Sequence, residues 1–308
     1  ASAVRSIGGG IQAPAVNAIF PQLVPREKLT RIQGINQTLN SVLLLLSPAV
    51  GGVILGSLSI VWAFFLDVVT AALAILIFSF IKVEKLERTV AVAPVFTELR
   101  YGISYTFGHP VLRGIVICCA CSLFLVTPAA ILTPLLVERS FGSDVWRLTA
   151  NEVVWTVGSL IGGVFVSLYG SFKNKIRTIA LCLVAFGVTF GLLGLAGNFI
   201  LYLVIMGIAG LFMPVIATAQ TVLIQETAEP GMMGRVFSIV QIIAASAMPI
   251  AILFFGPLAD VISVETILIV SGVLLALVGV VYARTQRNIH FDSGAEAAAG
   301  DCINKEDV

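Results

Sequence analysis

Charge is scarce in this chain. Only 11% of its 308 residues are Asp, Glu, Lys or Arg, whereas a soluble domain carries about 25% to clothe its surface. With 58% of residues apolar and a mean hydropathy of +1.03, the chain needs lipid around it. Histidine is nearly absent: His109 and His290 are the only two, both outside the long apolar runs, so no histidine metal site is expected. The five cysteines form no disulfide framework. Cys118, Cys119, Cys121 and Cys182 lie within apolar runs and Cys302 in the polar tail. Cys118, Cys119 and Cys121 resemble a soft-metal cluster only on paper, because adjacent helical residues point about 100° apart; they read as small packing residues of a membrane interface. No G-x-x-x-x-G-K-[ST] loop and no D-x-x-x-D or D-D-x-x-D pair occurs, which excludes an ATP-driven pump and a metal-diphosphate prenyl-transferring enzyme. The first residues carry no basic n-region and do not read as a signal peptide. No enzyme activity, cofactor, metal or nucleic-acid partner is expected.

What the chain has in abundance is long apolar runs. A bilayer core about 30 Å thick takes roughly 20 residues of helix at about 1.5 Å per residue. Nine such runs are present, near 1–20, 35–56, 61–81, 112–137, 149–169, 177–196, 199–223, 236–258 and 264–283. They are too long and too uniformly apolar for the alternating strands of a membrane β-barrel. The expected fold is an all-α integral membrane bundle.

Basic residues alternate from loop to loop. Arg26, Lys28 and Arg31 follow the first run; Lys82, Lys85, Arg88, Arg100 and Arg113 follow the third; Lys173, Lys175 and Arg177 the fifth; Arg235 the seventh; Arg284, Arg287 and Lys305 the ninth. Fifteen Lys and Arg thus fall on one side, against Arg139 and Arg147 on the other, with Arg5 inside the first run. The positive-inside rule makes the fifteen cytoplasmic, and the C-terminus with them.

The chain also repeats. A shift of 200 residues places Gly10 on Gly210, Pro14 on Pro214, Leu23 on Leu223, Gly34 on Gly234, Gly56 on Gly256 and Leu58 on Leu258. The pattern of helix, basic loop, helix, short outer link, helix recurs with it. Runs one to three correspond to runs seven to nine, a displacement of six helices, so the repeat is parallel, as in transporters built from two six-helix halves. On that logic the chain reads as helices 4–12 of twelve, with about 90 residues expected before Ala1. The division is then 1–81 for the remainder of an N-terminal half, 82–111 for a cytoplasmic linker, 112–283 for a C-terminal half, and 284–308 for a disordered cytoplasmic tail. Within the linker, Phe96, Leu99, Ile103 and Phe107 recur at helical spacing, which predicts an amphipathic helix on the membrane face.

Several motifs carry a family resemblance. Arg5-x-x-Gly8-Gly9-Gly10-Ile11-Gln12-Ala13-Pro14 resembles the fourth-helix signature of the major facilitator superfamily. Phe20-Pro21-Gln22-Leu23-Val24-Pro25, Gly34-Ile35-Asn36-Gln37, Asn151-Glu152-Val153, Met233-Gly234-Arg235-Val236-Phe237-Ser238 and Gly256-Pro257-Leu258-Ala259-Asp260 are similar to its drug:proton antiporter branch, which includes macrolide-efflux-type exporters. Ser47-Pro48-Ala49-Val50-Gly51-Gly52 resembles the fifth-helix antiporter signature. Gly163-x-x-x-Ser167-x-x-Gly170 with Lys173, Lys175 and Arg177 matches the short cytoplasmic loop in part, Ser167 standing where the family has an aspartate. The resemblance implies a major facilitator type bundle in the plasma membrane, exporting a small amphipathic molecule in exchange for protons by alternating access, as a monomer. A siderophore or metabolite exporter of the same fold, and a truncated, non-transporting membrane protein, are the alternatives.

The ionisable candidates for proton coupling are Arg5, Asp67 and Glu152. Arg5 stands 15 residues before Phe20, roughly 22 Å up its helix, where a basic residue is paired, faces water or snorkels outward; the resemblance implies the proton-linked role. Asp67 enters its helix about two turns from the outer side, as a proton or cation site, a hydrated vestibule group or a packing anchor. Glu152, near the start of its helix, also complements the helix dipole. Uncharged polar residues cost less in lipid. Gln12, Asn36, Gln37, Asn40, Gln220 and Gln241 are candidates for the substrate cavity, with Asn17 another polar residue in these helices, although any single one reads first as interhelical glue. Gly9, Gly10, Pro14, Pro48, Gly51, Gly52, Pro214, Pro249 and Gly256 are candidates for hinges and close packing.

Overall fold

A computed structural model describes residues 2–57, 60–80, 95–142 and 144–303. Its elements are α1 (Ser2–Leu23), a short 3-10 turn (Arg26–Lys28), α2 (Leu29–Ser57), α3 (Ile60–Ser79), α4 (Val95–Gly108), α5 (Pro110–Phe141), α6 (Val145–Tyr169), α7 (Lys175–Leu193), α8 (Phe199–Thr227), α9 (Met233–Val261) and α10 (Val264–Ile303). A helix covers each of the nine apolar runs, and α4 supplies the amphipathic helix of the linker, whose residues 82–94 lie outside the described set. Among the described residues, α5 to α9 and the Val264–Gln286 part of α10 are long and apolar enough to cross a membrane.

Turn chemistry fixes where helices begin. Asn174 caps α7, its side-chain oxygen accepting from the Arg177 N–H at 2.9 Å; Asn198 caps α8 by accepting from Leu201 N–H at 2.7 Å. Each bond satisfies a backbone donor that the first turn of a helix leaves free. At the far end of the bundle from the basic loops, Phe141, Trp146, Phe199 and Tyr202 cluster by ring contacts, and the Arg147 guanidinium lies 5.2 Å from the Trp146 ring centre. Aromatic rings with a polar tip gather at the boundary between lipid and water.

The helix interfaces are built on backbone contact. A Cβ on Gly187 would stand 2.5 Å from Ala276 N and Gly272 O, and one on Gly272 2.5 Å from Gly187 O, which is how α7 and α10 come together. Gly158 and Gly162 on α6 lie directly against the Gly207 and Leu211 carbonyls of α8. Lipid tails are as apolar as the side chains, so close van der Waals contact rather than burial from water drives such pairing. Outward the helices carry Leu253, Leu168 and Ile200, exposed at 79%, 80% and 76%. That is the surface of a protein bathed in hydrocarbon.

The contacts have the pairing that a parallel repeat would require. The shift pairs α1 with α8 and α2 with α9. A two-fold axis relating the halves must then turn an α1–α9 contact into an α8–α2 contact, and both are present. α2 further crosses α6, where a Cβ on Gly34 would stand 2.5 Å from Ser167 N and one on Gly163 2.9 Å from Thr38 N.

α10 runs through Ile303, well past 283. The stretch 295–299 is Ala-rich without proline, and alanine has the highest helix propensity of all residues.

Candidate functional site: a row of cavities along α5

α5 crosses the whole bundle, and three cavities follow its inner face. The first, about 200 Å³, lies between the halves, with Pro14 and Asn17 of α1 opposite Ile115 and Cys119 of α5, Gln220 and Thr221 of α8, and Phe237 and Gln241 of α9. The second, about 40 Å³, shares Cys119 and Gln220 with the first and reaches Val126. The third, about 160 Å³, shares Val126 and continues to Ala129, Ala130 and Thr133 of α5, Asn151, Glu152 and Trp155 of α6, Phe190 of α7 and Met206 of α8. From Ile115 to Thr133 the row spans 18 residues of α5, roughly 27 Å along the helix and nearly the thickness of a bilayer core of about 30 Å.

The third cavity combines an apolar wall with one carboxylate. Trp155 stacks on Phe190 at 6.5 Å between ring centres, and Phe190 packs on Phe186 at 4.4 Å. The Asn151 amide donates to Glu152 Oε1 at 3.3 Å, while buried Tyr202 donates its hydroxyl to Asn151 Oδ1 at 3.1 Å. Among the described residues no basic side chain pairs with Glu152, and its side chain is exposed. The result is a carboxylate held by a neutral network at the mouth of an aromatic cavity. Such a group can take a proton or face a cationic centre on a ligand.

A polar tie lies beside the first cavity toward the basic end. Gln225, 2% exposed, donates its side-chain amide to the Asn17 carbonyl at 2.8 Å, tying α8 to α1 across the halves. Nearby, Lys175 at the start of α7 pairs with Glu226 at the end of α8 at 2.9 Å.

Of the expected cavity residues, Gln220 and Gln241 meet in one place, and Asn17 joins them. Gln12, Asn36, Gln37 and Asn40 do not border these three cavities; Gln12 and Asn40 are exposed, Asn36 and Gln37 half-buried. Arg5 lies on α1 and Asp67 on α3, with their side chains outside the described set, as are the surroundings of Gly9 and Gly52. Pro14 lines the first cavity and Pro214 is buried within α8, whereas Pro48 and Pro249 are exposed within α2 and α9. A Cβ on Gly10, Gly51 or Gly256 would meet nothing within 4 Å. Lys173 and Arg177 are exposed beside the paired Lys175. Sequence reasoning missed Gln225, Tyr202, Trp155 and Phe190. Tyr202 is a polar residue inside an apolar run, a signal that was available; Gln225 lies just past the end of its run, and the aromatic pair has no signature apart from core.

The Major Facilitator Superfamily model matches residues 1–251. The chain belongs to that superfamily. It is a multi-pass membrane transporter rather than an enzyme, and its substrate is a small molecule. The chain is 30% identical over 282 residues to "Macrolide efflux protein A" of Streptococcus pyogenes, covering 90% of this chain and 70% of that protein. A protein of the same name from Enterococcus faecalis is 30% identical over 253 residues, covering 81% of this chain and 78% of its own length. "Multidrug efflux pump Tap" of Mycolicibacterium fortuitum is 23% identical, covering 77% of this chain and 58% of that one. These relatives place the transporter in the drug-efflux branch. In fold, the superfamily bundle is similar to a bacterial homologue of the iron transporter ferroportin in its outward-facing state, with a TM-score of 0.71 at 16% identity over 91% of this chain and 70% of that one. It is also similar to the fucose:proton symporter of E. coli, at 0.66 and 14% identity over 88% of this chain and 72% of that one.

Proposed function

We propose that the chain exports small amphipathic molecules from the cytoplasm by proton antiport, through alternating access of two bundles around the α5 row of cavities. The observation that carries this reading is the row itself. An amphipathic ligand finds amides at one end, in Gln220 and Gln241, and aromatic rings with a carboxylate at the other, in Trp155, Phe190 and Glu152. The basic end is cytoplasmic, so the Gln225–Asn17 bond and the α2–α6 crossing form the closed inner gate, and the Glu152 cavity opens outward. Names of the relatives in the efflux branch support the substrate class.

In this reading Glu152 is protonated from the outside while the substrate leaves, and Arg5 and Asp67 carry the inner part of the coupling. The test is drug accumulation in energised cells, alongside binding to purified protein. Glu152→Gln, which keeps the shape and removes the titratable proton, should abolish export driven by a pH gradient while binding persists. Arg5→Ala should do the same, and Arg5→Lys should retain part of the activity because charge survives without the planar donor fork. Asp67→Asn should match Arg5→Ala if it titrates and be milder if it is a vestibule group. Proton-driven efflux at the normal rate in both Glu152→Gln and Arg5→Ala would remove the antiport mechanism.

A further inference from the structure

The largest cavity described lies outside the transport row. It is a groove of about 360 Å³ between the basic-end turns of α5 and the facing stretch of α10, lined by Pro110, Arg113 and Ile117 on one side and Leu277, Tyr282 and Gln286 on the other, among others. Its polar groups are unusual for a membrane flank. Gln286 is 0% exposed, yet neither atom of its amide has a hydrogen-bond partner; Tyr282 is 5% exposed and its hydroxyl has none either. Both line the groove. Buried amides and phenols are almost always bonded, and in hydrocarbon no water takes the place of a missing partner. A ligand that accepts hydrogen bonds would serve the two donors among these atoms, the Tyr282 hydroxyl and Gln286 Nε2.

The rest of the groove defines the ligand. Its one charged lining residue is Arg113, with no carboxylate among the lining residues. The groove includes Pro110, the first residue of α5, where the helix dipole presents its positive end. Beyond this polar mouth the walls are apolar and open sideways, with Ile117, Leu277 and Val281 exposed at 48%, 54% and 51%. Cys121, the deepest lining residue on α5, is eight residues beyond Arg113, roughly 12 Å along the helix, close to the depth of one leaflet of the core, about 15 Å.

We propose that this groove is a binding site for an anionic glycerophospholipid of the inner leaflet. The lipid phosphate accepts from the Arg113 guanidinium, the Tyr282 hydroxyl and the Gln286 amide, and an acyl chain lies along Ile117, Leu277 and Val281. Gly114 is the backbone position that makes this possible, since a Cβ there would fall on the Gln286 amide. The inner-leaflet assignment rests on the charge asymmetry of the loops.

The test uses purified protein in lipid-free detergent, titrated with phosphatidylglycerol, phosphatidylcholine or glycerol phosphate, and read by native mass spectrometry and by unfolding temperature. Phosphatidylglycerol should be retained and should raise the unfolding temperature, phosphatidylcholine less so. Arg113→Gln should weaken retention about tenfold, the effect of losing one charge-assisted contact. Gln286→Leu decides the matter. Without lipid it should unfold no lower than the parent protein, because the amide it removes is unpartnered, and it should lose the phosphatidylglycerol effect. Leu277→Trp fills the apolar part without touching a polar group and should also block retention, which keeps the test open if Gln286→Leu does not fold. A diazirine on the acyl chain should crosslink within 117–121. Equal protection by glycerol phosphate would make the groove a site for soluble anions and overturn the proposal. So would unchanged retention in Gln286→Leu and Leu277→Trp.

Discussion

At the scale of single residues, glycine decides which helices touch. Gly34 and Gly163 sit where α2 and α6 cross, with backbone atoms of Ser167 and Thr38 at the place a Cβ would occupy. Gly34→Val must push α2 off α6, and such overpacking costs about 1–3 kcal/mol. Gly10→Ala adds a methyl group into open space and gains up to about 1 kcal/mol of helix propensity. Thermal unfolding of the purified protein should therefore fall clearly for Gly34→Val and hold or rise for Gly10→Ala. A drop of the same size in both would mean that the α2–α6 crossing is not what Gly34 serves. Gly34 also shows what sequence can convey. It stands out there as a member of a repeated pair with Gly234, yet a Cβ on Gly234 would meet nothing within 4 Å. The repeat marks equivalent positions, and only the neighbouring helix determines which of them is crowded.

Whole elements were the most legible part of the chain. Apolar runs of about 20 residues have few alternatives to a membrane helix, and a helix covers each of the nine. The periodicity of Phe96, Leu99, Ile103 and Phe107 likewise reads through to α4. What α4 binds was not legible, because it depends on contacts more than 100 residues away in sequence. Arg235, at the start of α9, reaches Glu98 at 3.4 Å and lies over the Tyr101 ring at 5.6 Å, and the Tyr105 hydroxyl accepts from Glu229 N–H at 3.2 Å. The Arg235–Glu98 pair is partly exposed, so its share is at most about 1 kcal/mol; the ring contact adds about 0.5–1 kcal/mol. Tyr101→Ala should thus release α4 more readily than Glu98→Gln, and the double variant most of all. Trypsin cleavage after the exposed Arg100 on α4 measures this, with rates rising in that order. Equal rates in all variants would show that α4 is held by something other than Arg235 and Tyr101.

At the scale of the molecule, the two-fold relation between halves and the charge pattern make one combined claim about orientation. The parallel repeat requires α1 and α8 to cross in the same direction, and so α2 and α9. The turn after α1 carries Arg26 and Lys28, the turn after α8 precedes Arg235, and the α6–α7 turn carries Lys173 and Lys175. All three therefore share one end of the bundle, while Gly197, between α7 and α8, belongs to the other. Single cysteines test this without disturbing packing, because a Cβ on Gly197 meets nothing within 4 Å and Lys173 is exposed and unpaired among the described salt bridges. The background cysteines in the helices are buried or half-buried, and Cys302 follows the basic end. In intact cells an impermeant maleimide should label Gly197→Cys and leave Lys173→Cys untouched; after permeabilisation both should label. Fifteen basic residues against two make the reverse orientation a heavy violation of the positive-inside rule. Labelling of Lys173→Cys from outside would turn the bundle over, put the Glu152 cavity on the cytoplasmic side, and convert the proposed outer proton port into an inner one.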